Sequence, residues 1–162
     1  MTRGLTSFGK DILTKQVDSL KLYAYRFDGY YAGVNSLQKY YSHSMELLDK
    51  KTRDELFGAR DIYTKVRDSA PSKYADSAIV KNSLISDGCV IEGTVENCIL
   101  FRGVKVGKGS VLKNSIVMQD TVIGSNVELD SVITDKNVVI RDRRHLAGCA
   151  ELPFFIGKGR MV

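Results

Sequence analysis

Asn82-Ser-Leu-Ile-Ser-Asp-Gly-Cys-Val-Ile-Glu-Gly-Thr-Val-Glu96 is followed at once by Asn97-Cys-Ile-Leu-Phe-Arg-Gly-Val-Lys-Val-Gly-Lys-Gly-Ser-Val-Leu-Lys113. Asn114-Ser-Ile-Val-Met-Gln-Asp-Thr-Val-Ile-Gly-Ser-Asn-Val-Glu-Leu129 and Asp130-Ser-Val-Ile-Thr-Asp-Lys-Asn-Val-Val-Ile140 come next. These segments start 15, 17 and 16 residues apart. Aliphatics fall at nearly every second position, with Gly, Asn and Asp between them. A short fixed period of this kind marks a stacked β-solenoid in which one repeat is one coil. An antiparallel sandwich of short alternating strands is the competing reading, but a sandwich has no reason to repeat its letters.

Within a coil a sub-period of six appears, as in Ile85-Ser-Asp-Gly-Cys89, Val106-Gly-Lys-Gly-Ser110 and Ile123-Gly-Ser-Asn-Val127. A large aliphatic is followed four residues later by a small or β-branched residue, which suits a narrow interior. This resembles the hexapeptide repeat of left-handed parallel β-helices, and the left hand is implied by that resemblance alone, because the general crossover rule gives the opposite one. After Ile140 the repeat is expected to fail at Arg141-Asp-Arg-Arg-His145, with Pro153-Phe-Phe-Ile156 covering the open end.

The rest of the chain of 162 residues supports an appendage rather than a second full core. Ser7 is placed to cap a short helix. Leu20 to Phe27 alternates and runs into Asp28-Gly29, which reads as a β-hairpin. Leu37, Tyr40, Tyr41, Ser44, Leu47 and Leu48 then recur at helical spacing behind Asn35 or Ser36 as cap. Thr52-Arg-Asp-Glu55 opens a second helix that Gly58 can end, and both helices are expected to pack on the hairpin. Residues 1–57 therefore form one unit, 58–76 a linker in which Ile62-Tyr63-Thr64 can lie against a neighbour, and 77–162 the solenoid with a basic end.

Charge and composition exclude several classes. The net charge is +5, yet Ile79 to Thr134 carries five basic and six acidic residues. From Asp135 onward six basic residues face three acidic ones. A local basic end without interleaved aromatics suits a small anion and not a nucleic acid. There is no long apolar run and no secretion signal, so a soluble cytoplasmic protein away from membranes is expected. Cys89 and Cys98 fall on small inward positions and read, with Cys149, as thiols rather than a disulfide or metal site.

Asp28-Gly-Tyr-Tyr-Ala-Gly-Val-Asn-Ser36, Ile62-Tyr-Thr-Lys-Val-Arg67, Glu92-Gly-Thr-Val-Glu-Asn97 and Ser131-Val-Ile-Thr-Asp-Lys-Asn137 together resemble the C-terminal part of bacterial glucose-1-phosphate adenylyltransferase, or ADP-glucose pyrophosphorylase. The resemblance implies a mainly β fold, a left-handed parallel β-helix preceded by a small α+β remnant of a nucleotidyltransferase domain. It also implies that these residues begin after most of the catalytic domain. That family makes ADP-glucose and pyrophosphate from ATP and glucose 1-phosphate with Mg²⁺ for glycogen or starch, as allosteric oligomers.

The family's metal-binding aspartate aligns with Gly33 and its arginine with Ala32, and neither side chain can hold a metal or an anion. The pattern is similar to that of the regulatory, GlgD-type subunit that works beside a catalytic partner. No catalytic or metal residue and no bound cofactor is then expected here; Mg²⁺ and ATP belong to the full enzyme. The resemblance points to Lys136 and Lys158 as contacts for phosphorylated effectors, and charge and proximity add Arg141, Arg143 and Arg144. The crowded aromatics Tyr23, Tyr25, Phe27, Tyr30, Tyr31, Tyr40 and Tyr41 imply self-association beside a hetero-oligomer with the catalytic subunit. A hexapeptide acyltransferase, which would need a histidine base on a coil, and the C-terminal region of another sugar nucleotidyltransferase stay as alternatives.

Overall fold

The computed structural model describes residues 6–58, 62–64 and 67–162. Strands of two or three residues are all that the hexad allows before Gly, Asn or Asp bends the chain. They stack into three parallel sheets of five strands each. The first sheet holds Lys73–Tyr74, Val90–Ile91, Lys105–Val106, Val122–Ile123 and Val139–Ile140. The second holds Ile79–Lys81, Thr94–Glu96, Val111–Lys113, Glu128–Asp130 and His145–Ala147. The third holds Leu84–Ile85, Ile99–Leu100, Ile116–Val117, Val132–Thr134 and Phe154–Ile156. One strand of each in chain order makes a rung, and the chain is a β-solenoid.

Register does the packing. Ile91 stacks on Val106, Val106 on Ile123 and Ile123 on Ile140 inside the first sheet, and all four are at most 1% exposed. Val95, Leu112 and Leu129 form the second inward column. Rungs are joined by backbone bonds such as Val90 N to Val104 O at 2.9 Å and Lys105 N to Thr121 O at 3.0 Å. Left-handed backbone recurs at the corners: Asn82, Asn97, Asn114 and Ser131 on one, Gly88, Gly103, Asp120, Asn137 and Gly159 on another. Gly and Asn recur between the aliphatics because they tolerate that conformation. Gly107 is held for a second reason, since a Cβ there would lie 2.5 Å from the Gly124 carbonyl oxygen of the next rung.

The solenoid is longer than its letters suggest. It starts at Lys73, which pairs with Val90, and does not fail after Ile140. Arg141 to Arg144 make an ordinary corner, and His145–Ala147 pairs in register with Glu128–Asp130. A tight turn from Cys149 to Leu152, closed by two 3.1 Å backbone bonds, loops out the extra residues. Phe154–Ile156 then adds a rung strand beside Val132–Thr134 instead of lying across the end.

The first part differs more. Phe8–Thr14 is a π-helix whose Ser7 cap accepts from Lys10 N at 3.3 Å. Leu20 to Tyr31 forms no hairpin and holds no strand, because a two-stranded ribbon with no further strand to join is marginal in water. Helix α1 (Leu37–Glu46) is capped by Ser36. Helix α2 (Lys50–Phe57) starts earlier than its capping box implied, and Asp49 accepts from Thr52 N at 2.9 Å. Helix α1 packs on the outer face of the third sheet and not on a hairpin: Tyr40, Tyr41 and Met45 meet Ile99, Ile116 and Ile133. Ile62 and Tyr63 are exposed rather than laid on a neighbour, and the rest of that motif falls partly outside the described residues.

Candidate functional site

Two corners of the solenoid carry the basic residues expected to bind anions. Between the third and first sheets, successive rungs place Asp87, Arg102, Gln119, Lys136 and Lys158 in one column. The register is fixed by Gly103 N to Asp87 O at 3.1 Å, Asp120 N to Arg102 O at 3.0 Å, Asn137 N to Gln119 O at 2.9 Å and Gly159 N to Lys136 O at 3.0 Å. Lys136 and Lys158 are therefore neighbours one rung apart, about 4.8 Å along the stack, although they are 22 residues apart in sequence. Both are exposed, and neither makes an ion pair among the described residues. Arg102, by contrast, faces Asp87 at 3.9 Å. Two unpaired ammonium groups over a turn of left-handed backbone can hold one phosphate between them. Arg160, counted in the sequence only as charge, follows Lys158 around the same corner.

Arg141, Arg143 and Arg144 lie elsewhere, on the corner between the first and second sheets. Strand Val139–Ile140 separates them from Lys136 by about 16 Å of extended chain. Arg143 has φ +59 and gives its N–H to Ser125 O at 3.0 Å. It occupies the place that Asn126 and Gly109 take in the two preceding rungs. Asp142 accepts from Ser125 N at 2.8 Å, and Arg141 Nη2 points at Met161 Sδ, 3.0 Å away. The structure thus brings Lys136 and Lys158 together and leaves the arginines as a separate cluster.

The segment with Ala32 and Gly33 lies beside the two helices. Tyr30, Ala32, Val34, Tyr40, Leu47 and Leu56 line an apolar hollow there. The nearby carboxylate of Glu46 accepts from Tyr30 Oη at 2.7 Å and pairs with His43 Nδ1 at 3.2 Å. The Tyr30 hydrogen bond, followed by that of His43, holds the Glu46 pKa below its usual value. Among the described residues there is no group of three His, Cys, Asp or Glu that could hold a metal ion. A Cβ on Gly33 would meet only the Tyr31 side chain, Oη at 3.6 Å and Cε1 at 3.8 Å, so the missing side chain is not a steric necessity.

His145 is on a rung after all, 2.8 Å from Glu128 Oε2. Its side chain is 71% exposed in the single chain. Cys89 and Cys98 are fully buried thiols and Cys149 is exposed. Burial pushes the Cys98 pKa up to about 12.

One contact had no forerunner in the sequence reading. Tyr41 Oη donates to the Asn114 carbonyl oxygen at 2.6 Å, joining helix α1 to an asparagine ladder. In the ladder Asn82 Nδ2 reaches Asn97 Oδ1 at 2.8 Å, Asn97 reaches Asn114 at 3.5 Å, and Asn114 reaches Asp130 Oδ1 at 3.0 Å. The signal was present, since asparagine opens each of the first three repeats.

Parallel rungs, inward aliphatic columns and asparagine corners define a hexapeptide-repeat solenoid, and residues 69–149 match the model of the family described as "GlmU-like, C-terminal hexapeptide". The chain belongs to that family. It is 47% identical over 151 residues to the glycogen biosynthesis protein GlgD of Bacillus subtilis (strain 168), covering 93% of this chain and 44% of that protein. Glucose-1-phosphate adenylyltransferases are also similar. That of Bacillus thuringiensis (strain Al Hakam) is 40% identical, with 83% of this chain and 36% of the relative covered. That of Fervidobacterium nodosum is 35% identical, with 83% and 33% covered. The chain spans less than half the length of these relatives, and the similarity is to their C-terminal part.

Proposed function

We propose that this chain is the assembly and regulatory part of a glucose-1-phosphate adenylyltransferase system in glycogen biosynthesis, and that it is not itself catalytic. The observation that carries the reading is the 47% identity to the GlgD protein, which extends over 151 residues and so includes the segment where Ala32 and Gly33 replace the arginine and metal-binding aspartate of catalytic subunits. Neither residue can neutralise charge developing on a phosphoryl group. ATP and Mg²⁺ then act on a catalytic subunit with which this protein forms a cytoplasmic hetero-oligomer. Lys136 and Lys158 take a phosphorylated effector, and docked helix α1 links the solenoid to the transferase side.

Co-expression of the intact protein with a catalytic adenylyltransferase subunit tests this. The two should co-purify, and the protein alone should make no ADP-glucose. ADP-glucose synthesis by the protein alone would overturn the reading. For the effector site, phosphate, fructose 1,6-bisphosphate and phosphoenolpyruvate are titrated onto wild type and Lys136→Ala. The loss of one charge-assisted contact should weaken binding about tenfold, and equal affinity would remove Lys136 from the site.

A further inference from the structure

The geometry points to the outward face of the second sheet as a self-association surface on which a second copy docks with its solenoid axis reversed. This holds whatever the chain's role in sugar-nucleotide synthesis. One outward column of that face reads Lys81, Glu96, Lys113, Asp130 on successive rungs, in register by strand pairing. Its charges alternate in sign, and none of the four closes an ion pair within 4 Å among the described residues. An alternating column with an even number of charges is complementary to its own reverse.

A two-fold axis lying between the copies and parallel to the strands reverses the rung order and lays the column on itself. Lys81 then faces Asp130 of the second copy, and Glu96 faces Lys113, each pair occurring twice as an isologous contact requires. Charge also rejects the other arrangements. Shifting the reversed register by one rung puts Lys113 on Lys113 and Glu96 on Asp130. An axis along the solenoid instead sets Glu128 against Asp130. In the favoured register Ile79 of the second copy, half exposed in the single chain, lies opposite the hollow lined by Val111, Lys113, Glu128, Leu129, Asp130 and His145.

The four facing rungs of about 4.8 Å by a face about 15–20 Å wide give roughly 300–400 Å² per copy, less than half the area of a standard specific interface. A contact of this size is of the weak, transient kind and is sensitive to salt.

Sedimentation velocity on the chain between about 10 µM and 1 mM should show a monomer–dimer equilibrium that weakens when NaCl rises from about 50 to 500 mM. Glu96→Lys and Lys113→Glu should each raise Kd about tenfold or more, because each places like charges opposite one another twice. Mixing the two variants should restore association, since every facing pair in the heterodimer is again opposite in sign. Monomer throughout, salt-independent association, or a mixture no tighter than its components would overturn the inference. Circular dichroism melts are to check that each variant is folded, and the salt series on wild type needs no variant.

Discussion

Replacing Tyr41 with alanine should undock helix α1 while leaving the solenoid folded. Tyr41 is 4% exposed, and its ring packs on Ile116 and Ile133, both fully buried. Its hydroxyl donates to Asn114 O at 2.6 Å. Deleting a buried aromatic side chain costs about 3–5 kcal/mol, whereas Tyr41→Phe loses one hydrogen bond, about 1 kcal/mol. A ten-residue helix is marginal in water without docking, so the loss falls on the helix. In hydrogen exchange the alanine variant should lose about two to three orders of magnitude of protection over residues 37–46, and the phenylalanine variant about fivefold. Peptides across residues 90–134 should exchange as in wild type. Unchanged protection over 37–46 in the alanine variant, or equal loss across the solenoid, would refute a separately docked helix.

The buried Cys98 thiol makes stability fall with alkali. Its folded pKa is raised to about 12 from 9.0, so the unfolded chain gives up the proton first. The stabilisation is complete below pH 9 and declines as pH rises through that window by about 1.4 kcal/mol per unit. In denaturant titrations Cys98→Ala should therefore lose about 2 kcal/mol less than wild type between pH 9 and about pH 10.5; parallel curves would dismiss the mechanism. Thr134 Oγ1 is buried without a hydrogen-bond partner, between Val117 and Ile156 in register. Thr134→Val should raise stability by about 1–2 kcal/mol in the same titration. Asn114 has φ +47 and donates to Asp130. Asn114→Ala should cost about 1–3 kcal/mol in thermal melts, and more than Asn114→Gly, which loses the ladder bond without backbone strain.

The rungs were legible because each inward position obeys a local rule: a large aliphatic, four residues, a small or β-branched side chain. The rule needs no knowledge of distant partners, and Cys89, four residues after Ile85, could be read as buried by it. Extent was less legible. Arg141 to Arg144 look like an end because their letters are charged, yet a corner asks only for backbone geometry. Asp142 and Arg143 keep that geometry while changing the surface. The hairpin read at Leu20 to Tyr31 shows the opposite failure, since alternation states a preference that no neighbouring strand is there to satisfy. The three arginines that sequence proximity added to Lys136 and Lys158 stand on another corner for a topological reason. In a solenoid 22 residues can mean one rung, as for Lys136 and Lys158, while the five from Lys136 to Arg141 turn the chain onto another corner.

Where helix α1 lands follows from the outward columns of the three sheets. The first presents Lys73, Val90, Lys105, Val122 and Val139, and the second carries Lys81, Glu96, Lys113 and Asp130. The third alone is apolar throughout: Leu84, Ile99, Ile116, Ile133 and Phe155. Neighbouring residues on a strand point to opposite faces, so the adjacent aliphatics in Leu84-Ile85, Ile99-Leu100, Ile116-Val117 and Val132-Ile133 demand burial on both sides. One side is the solenoid interior. The other needs a cover, and Tyr41 and Met45, four residues apart on one helix face, supply it over the middle rungs. The break in composition between residues 57 and 77 therefore does not separate two independent units. Helix α1 completes the third sheet, and a change in the rungs beneath Tyr41 reaches the N-terminal segment through that contact.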